Sequence, residues 1–313
     1  VLYKTEVRGL ENFNAGGKML IIANHTSFLD AALIAAYLPV PITFAINTQI
    51  AQAWWIKPFL KLVDAFPVDP TNPMALKGLI EVVKSGKIGM IFPEGRITVT
   101  GSLMKVYEGP GLIADKAKAK ILPIRIEGAQ YSRLSRLRGK AKLRAFPKIT
   151  LTILPPCDFG LPEGVFGRKR RQLAAAQLYD TMSSMVFEAS ELDKTLFQSL
   201  MEARRVHGGN HICAEDPQRQ PVNYRNFIAR SMVLGKLMEK EVETAADIPA
   251  VGVLLPNMIG TSMVFFGLHS ARKVPAMLNF SVGPAQIASA CQTAMIKTVV
   301  TSRRFIEMGK MDA

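Results

Sequence analysis

An α/β fold, with a mixed β-sheet flanked by helices, is predicted on three observations. Short β-rich runs alternate with helical patterns from residue 4 to about 155. Proline and glycine punctuate those patterns where elements should begin and end, with Pro73 suited to a first helical turn and Gly86 to a stop. The chain of 313 residues, 49% apolar and 20% charged, can bury a substantial core and is long enough for about two domains.

The expected strands are Lys18 to Ala23, Ile42 to Ile46, Ala65 to Val68, Ile88 to Phe92, Ile121 to Ile126 and Ile149 to Leu154. The expected helices are Phe28 to Tyr37, Ala51 to Leu62, Pro73 to Lys84 and Gly111 to Lys118. After Pro155 and Pro156 the composition changes: Gly160, Pro162, Gly164 and Gly167 precede the basic run Arg168 to Arg171 and a long polar helical stretch to about Arg205. That stretch reads as a connector, followed by a helix-strand-helix-strand pattern from Tyr224 to Val300. Three segments are therefore expected: a first domain at 1–158, a linker with a helix at 159–220, and an incomplete α/β fragment at 221–313.

The formal net charge of +14, with a pI near 9.8, calls for an anionic partner, which leaves nucleic acid, anionic lipid or an acidic carrier protein. Arg133, Arg136, Arg138, Lys140, Lys142, Arg144 and Lys148 form one basic stretch with few aromatics for base stacking. It therefore points to an anionic membrane surface or an acidic carrier protein, and no nucleic acid is expected. "WWIKPFLKLV" at 54 to 63 has the mixture of tryptophan, phenylalanine and lysine found in interfacial helices, and equally in amphipathic core helices. From Ile248 to Ala271 no charged residue appears, but Pro249, Pro256, Asn257 and Gly260 favour a buried strand, a turn and a helix over a membrane span. Cys157, Cys213 and Cys291 lie far apart, which suggests neither a disulfide framework nor a four-cysteine zinc site and fits a reducing cytosol. The chain opens at Val1 without a signal pattern, as a fragment lacking its natural start would.

"NHTSFLD" at 24 to 30 places a histidine at the end of an apolar strand and an aspartate five positions later, where a helix begins. On one continuous helix, positions five apart point about 140° away from each other. His25 and Asp30 can meet only if the histidine sits in the turn and the aspartate folds back from the helix. The pair suits general-base chemistry, because an alkyl hydroxyl barely ionises near neutral pH, while an imidazole with pKa about 6.5 accepts its proton during attack. Asp30 would fix the imidazole tautomer and stabilise the imidazolium. The bland alternative is a surface histidine beside a helix-capping aspartate.

"MIFPEGRIT" at 90 to 98 ends a second apolar strand with Glu94, Gly95 and Arg96. Gly95 allows close backbone approach, and Arg96 offers a planar fork suited to phosphate. Glu94 could bind an acceptor hydroxyl or anchor that arginine, and a Pro-Gly turn with a surface salt bridge is the plain alternative.

Together the two blocks resemble the glycerolipid acyltransferase family, of the lysophosphatidate acyltransferase type, whose signature is N-H-x4-D followed by F-P-E-G. The resemblance covers roughly residues 5 to 155, with "ILPIRIEG" at 121 to 128 and "DAFPVDP" at 64 to 70 as further points of similarity. It implies that family's fold for the first domain, with His25 as general base, Asp30 as its partner, and Glu94, Gly95 and Arg96 as the acceptor site. Asn24 and Ser27, within the first block, are counted with the substrate-binding residues. It also implies direct attack of a lysophospholipid hydroxyl on an acyl thioester, from acyl-ACP or acyl-CoA, with no metal and no cofactor beyond the donor. The implied place of work is the cytoplasmic face of the inner membrane.

Two departures narrow the resemblance. The commoner form reads F-P-E-G-Thr-Arg, whereas Arg96 directly follows Gly95, and Asn47 in "AINTQI" stands where a lysine is frequent. "FPEGRITVTGSLMK" instead resembles the branch fused to an acyl-ACP synthetase, which acts on 2-acylglycerophosphoethanolamine. "VGVLLPNMIGTSMVFFGL" and the segment after it resemble the opening of an adenylate-forming domain, whose ATP and Mg site needs residues not found before Ala313. The alternatives are a 1-acylglycerol-3-phosphate acyltransferase, and a non-catalytic fragment of an acyl-ACP synthetase. In "HGGNH", His207 and His211 have zinc-ligand spacing only on a helix, which Gly208 and Gly209 disfavour.

Overall fold

The computed structural model describes residues 3–13, 16–52, 63–68, 73–217, 220–245 and 247–309. The chain divides into two compact units, Val1–Ser190 and Glu191–Ala313.

The first unit is built on a seven-stranded sheet. In chain order its strands are β1 (Thr5–Arg8), β2 (Met19–Ala23), β3 (Ile42–Asn47), β4 (Asp64–Val68), β5 (Ile88–Ile91), β6 (Lys120–Glu127) and β7 (Ile149–Ile153). Their spatial order is β1-β7-β6-β2-β5-β3-β4, and every neighbouring pair is parallel except β6–β7, which makes the sheet mixed. The helices are α1 (Asp30–Tyr37), the single turn α2 (Thr48–Ala51), α3 (Pro73–Lys84), α4 (Glu108–Ala117) and α5 (Gly167–Glu188). The helix expected at Ala51 to Leu62, and the interfacial pattern at 54 to 63, fall largely outside the described residues.

β2 is central and all five of its residues are buried, as a run flanked on both faces requires. Met19, Ile21 and Ala23 join Leu33 and Ile34 of α1 on one face, while Leu20 and Ile22 meet Leu79, Ile113 and Leu178 from α3, α4 and α5 on the other. β1, absent from the sequence expectation, is a four-residue edge strand whose Thr, Glu and Arg leave little apolar signal.

The largest departure from the sequence reading concerns α5. It was expected within a connector beginning at 159, with the first domain closing at 158, yet Ala174, Leu178, Met182 and Met185 are buried in the core of the first unit. Two local features seat it. Gly111 of α4 lies so close that a Cβ there would stand 2.6 Å from the Ala174 carbonyl oxygen. Arg170 donates through Nε (2.7 Å) and Nη2 to the carboxylate of Asp115 of α4, and through Nη1 to the carbonyls of Pro162 and Val165. Arg170 of the basic run thus helps to seat the helix, whose apolar stripe recurs every three to four residues from Ala174 to Met185. The long helical stretch also breaks, with α6 (Leu196–His207) opening the second unit on a Thr195 and Gln198 capping box.

The second unit continues with the hairpin β8 (Ile212–Ala214) and β9 (Val222–Asn223), α7 (Tyr224–Glu241), β10 (Ala250–Val253), α8 (Ile259–Ser270), β11 (Val274–Met277), α9 (Pro284–Thr293), β12 (Val299–Val300) and α10 (Arg303–Gly309). β11, β10 and β12 form a parallel three-stranded sheet. The charge-free stretch at 248–271 is thus a buried strand, a turn and a twelve-residue helix. Among the described residues no helix is long and apolar enough to cross a membrane.

Candidate active site

β2 and β5 are adjacent and parallel, so the loops leaving their carboxyl ends emerge side by side, the edge where open α/β sheets place their ligands. Those loops carry the two sequence blocks. The contact between them is therefore a product of strand order, although 69 positions separate His25 from Glu94.

Asp30 opens α1 and is completely buried. Its Oδ2 accepts the backbone N–H groups of Thr26 (2.5 Å) and Ser27 (2.9 Å), and Oδ1 accepts the Thr26 hydroxyl (3.1 Å). Folding the turn back over the helix start also brings His25 Nδ1 to 2.9 Å from Asp30 Oδ2. An ionised carboxylate only accepts, so Nδ1 carries the hydrogen and Nε2 presents its lone pair. The imidazole stacks on Phe92, with centroids 4.0 Å apart and planes 12° apart, and keeps 18% of its side-chain surface exposed. The ring is fixed on one edge and on one face, and open at the remaining edge.

Glu94 is buried, and each of its oxygens accepts a backbone N–H: Oε1 from His25 at 2.9 Å and Oε2 from Met104 at 2.8 Å. The carboxylate is thus a staple joining the histidine turn to the loop after β5. These contacts are to backbone rather than to the Arg96 side chain. Burial pushes its pKa above the ordinary glutamate value, with the two N–H donors and the charges of His25 and Arg125 opposing that rise.

Arg96 is exposed, and its backbone is tethered from both sides. Glu94, two residues before it, holds the N–H of His25, while the N–H of Thr98, two residues after it, donates to the carbonyl of His25 at 2.8 Å. The guanidinium therefore starts from a loop pinned at both ends to the histidine itself. Gly95 makes that loop possible by adopting φ +64°, where a side chain would be strained and a Cβ would press on the Tyr107 ring at 3.3 Å.

Asn24 and Ser27, expected among the substrate-binding residues, have other work. The Asn24 amide donates to the carbonyl of Ile126 (2.9 Å) and accepts its N–H (2.8 Å), extending the β2–β6 ladder with a side chain. Ser27 is fully buried, accepts the N–H of Leu29 and bonds the Ser132 hydroxyl at 3.1 Å. Both brace the turn through these bonds.

Phe92, Thr98, Ser132 and Arg125 belong to this surrounding structure and were not singled out from sequence. Only Phe92 left a signal, as the last apolar residue before Pro93. Burial pulls Arg125 of β6 below the ordinary arginine value, with the charges of Glu127 and Glu94 opposing that fall. In the second unit His207 ends α6, Gly208 breaks the helix at φ +94°, and the rings of His207 and His211 stack 5.4 Å apart. Among the described residues no group of three or more His, Cys, Asp or Glu is placed to hold a metal.

A carboxylate-held imidazole with an unbonded nitrogen can accept a proton, and its turn is tethered to the loop that carries the exposed Arg96. Residues 4–127 match the family model described as Acyltransferase. Over 141 residues the chain is 32% identical to the 1-acyl-sn-glycerol-3-phosphate acyltransferase of Bacillus subtilis, an alignment spanning 44% of this chain and 70% of that protein. It is 28% identical over 186 residues to the protein of the same name from Pseudomonas aeruginosa, spanning 58% of this chain and 69% of the relative. Against the chloroplastic 1-acyl-sn-glycerol-3-phosphate acyltransferase of Brassica napus it is 30% identical over 131 residues, 40% of this chain and 38% of that one. Among solved structures, the 1-acyl-sn-glycerophosphate acyltransferase of Thermotoga maritima superposes with a TM-score of 0.47 at 20% identity, covering 61% of this chain and 75% of that chain. The chain belongs to the acyltransferase family.

Proposed function

We propose that this acyltransferase moves an acyl group from a thioester donor to the free hydroxyl of a lysophospholipid, with His25 as general base. The observation that carries this reading is the Nδ1 to Asp30 contact of 2.9 Å, which leaves Nε2 as the proton acceptor. As the acceptor oxygen attacks the thioester carbonyl, its proton passes to Nε2. The tetrahedral adduct then collapses, the carbon–sulfur bond breaks, and the departing thiolate takes the proton back from the imidazolium. Asp30 stabilises the transient positive charge throughout.

Arg96 is assigned to the acceptor phosphate, as a forked donor on an exposed loop beside the base. The activities in the names of the relatives favour 1-acylglycerol-3-phosphate as acceptor. The 2-acylglycerophosphoethanolamine reading keeps the support of Arg96 directly following Gly95, the form of the fused branch. Acyl-ACP and acyl-CoA both supply the required thioester. The parallel strand-helix-strand unit β10–α8–β11 supports reading 221–313 as the start of an adenylate-forming domain. An anionic bilayer is the proposed place of action, consistent with the +14 charge.

The test is a transfer assay of the purified chain, offering acyl-ACP and acyl-CoA to lysolipids with phosphate, ethanolamine and choline headgroups. Thioester-dependent formation of the diacyl product is expected, fastest with the phosphate monoester. Failure to acylate any of them with either donor would defeat the proposal, and preference for the ethanolamine acceptor would select the second reading.

A further inference from the structure

We infer that the loop between β6 and β7, residues 128–148, is the surface through which the first unit docks on an anionic lipid bilayer, and that it couples docking to the histidine turn. The inference rests on the proposed lipid acceptor for the question of why docking should occur beside His25, but not for the docking itself. The loop carries seven Lys and Arg side chains and no carboxylate, half of the net +14 of the chain. All seven are exposed. Two large apolar side chains stand out among them, Leu134 at 46% and Phe146 at 58% relative exposure.

Cations interleaved with protruding apolar groups match a leaflet whose surface is anionic and whose interior is apolar a few ångströms deeper. Nucleic acid would ask for stacking aromatics spaced along the basic track, and the loop offers only the terminal Phe146 and the half-buried Tyr131. An acidic protein would be met by the charges, but it gives no reason for the loop to be joined to the site as it is. The Leu134 carbonyl accepts the N–H of Phe28 at 3.2 Å, Ser135 forms a β-bridge with Ser27, and the Ser132 hydroxyl bonds Ser27. Arg136 lies over the Phe28 ring, 5.9 Å from its centroid. These contacts fall between His25 and Asp30 in sequence. A bilayer held by the loop is thereby held at the turn that carries the base, where an acceptor embedded in that bilayer is presented.

The experiment is co-sedimentation of the full chain with phosphatidylglycerol/phosphatidylethanolamine vesicles and with phosphatidylcholine vesicles, in the absence of any acyl donor. The wild type should bind the anionic vesicles only, and rising salt should release it. The triple variant Arg133→Gln, Arg138→Gln, Lys142→Gln should bind them about 100-fold more weakly, from the loss of three surface cations. A second variant, Leu134→Ser with Phe146→Ser, should lose affinity while keeping the salt dependence, and circular dichroism should show both variants folded. Wild-type binding that ignores lipid charge, or a folded triple variant that binds like the wild type, would overturn the inference. A triple variant that keeps vesicle binding but loses transfer from acyl-ACP alone would assign the loop to the carrier protein instead, and would equally overturn it. Because no donor is present, a chain inactive against every lysolipid could still pass the test, which separates failure of the docking surface from failure of the proposed function.

Discussion

The two loops that leave β2 and β5 are neighbours, yet they are built on different terms. In the turn from Asn24 to Asp30 every polar side chain is bonded and all but His25 are buried, and Asp30 alone accepts four contacts. In the loop from Pro93 to Met104 only Glu94 and Thr98 are so engaged, and Arg96 between them faces solvent. The first loop fixes a proton acceptor, which needs one tautomer and one orientation. The second is pinned at its ends and left open at its centre, as suits a group that must close on a ligand arriving from outside. In the proposed mechanism, chemistry and acceptor choice fall to different loops, joined through the backbone of His25.

That division can be broken experimentally. Asp30→Asn should have the largest effect, because the amide no longer enforces the productive tautomer; kcat should fall about 10³ to 10⁴-fold with little change in KM for the acceptor. A fall confined to KM would mean that Asp30 serves binding. Arg96→Gln should do the reverse, raising KM for phosphate-bearing acceptors about 10 to 100-fold at nearly constant kcat, the loss of one charge-assisted contact. Equal effects of the two variants on kcat would erase the distinction between the loops.

Glu94→Gln probes the joint between them. One N–H of His25 or Met104 would face an amide NH2 instead of an oxygen, costing about 1–3 kcal/mol of stability. The pH dependence has a definite sign. Because burial raises the folded pKa of Glu94, the folded protein holds that proton more tightly than the unfolded chain. Its contribution is fully present below the unfolded value near 4.5 and is lost as pH rises through the folded value. The stability gap between wild type and Glu94→Gln, followed by denaturant unfolding, should therefore narrow as pH increases across that window. A gap that widens would contradict the burial argument.

What the sequence made legible follows from the range of the interactions involved. The meeting of His25 with Asp30 was readable because it is local: strand, turn and helix start lie within six residues, and helical geometry leaves one way for them to touch. Six strands of the sheet, β2 to β7, were readable for the same reason, each being a short apolar run, whereas the polar edge strand β1 was not. The staple by Glu94 was not, since its partners are backbone N–H groups, which every residue offers and no pattern marks. The bonds of the Asn24 amide to the backbone of Ile126 across the sheet were hidden in the same way. The place of α5 was hidden because Arg168 to Arg171 and the glycines before them resemble a connector. The decisive features, Gly111 against Ala174 and Asp115 against Arg170, pair residues more than fifty positions apart. Leu178→Ala, at the centre of that contact, should cost about 2–5 kcal/mol in the unfolding of the first unit, and a change close to zero would return the helix to a connector.

The central claim is that a single imidazole nitrogen receives the proton of the acceptor alcohol. Its most direct test is acyl transfer by His25→Ala, with the fold verified by circular dichroism and lysolipid binding measured separately. The account predicts transfer reduced about 10² to 10⁴-fold, the contribution of a positioned general base, while the lysolipid still binds; a folded variant retaining activity within about tenfold of the wild type would contradict it.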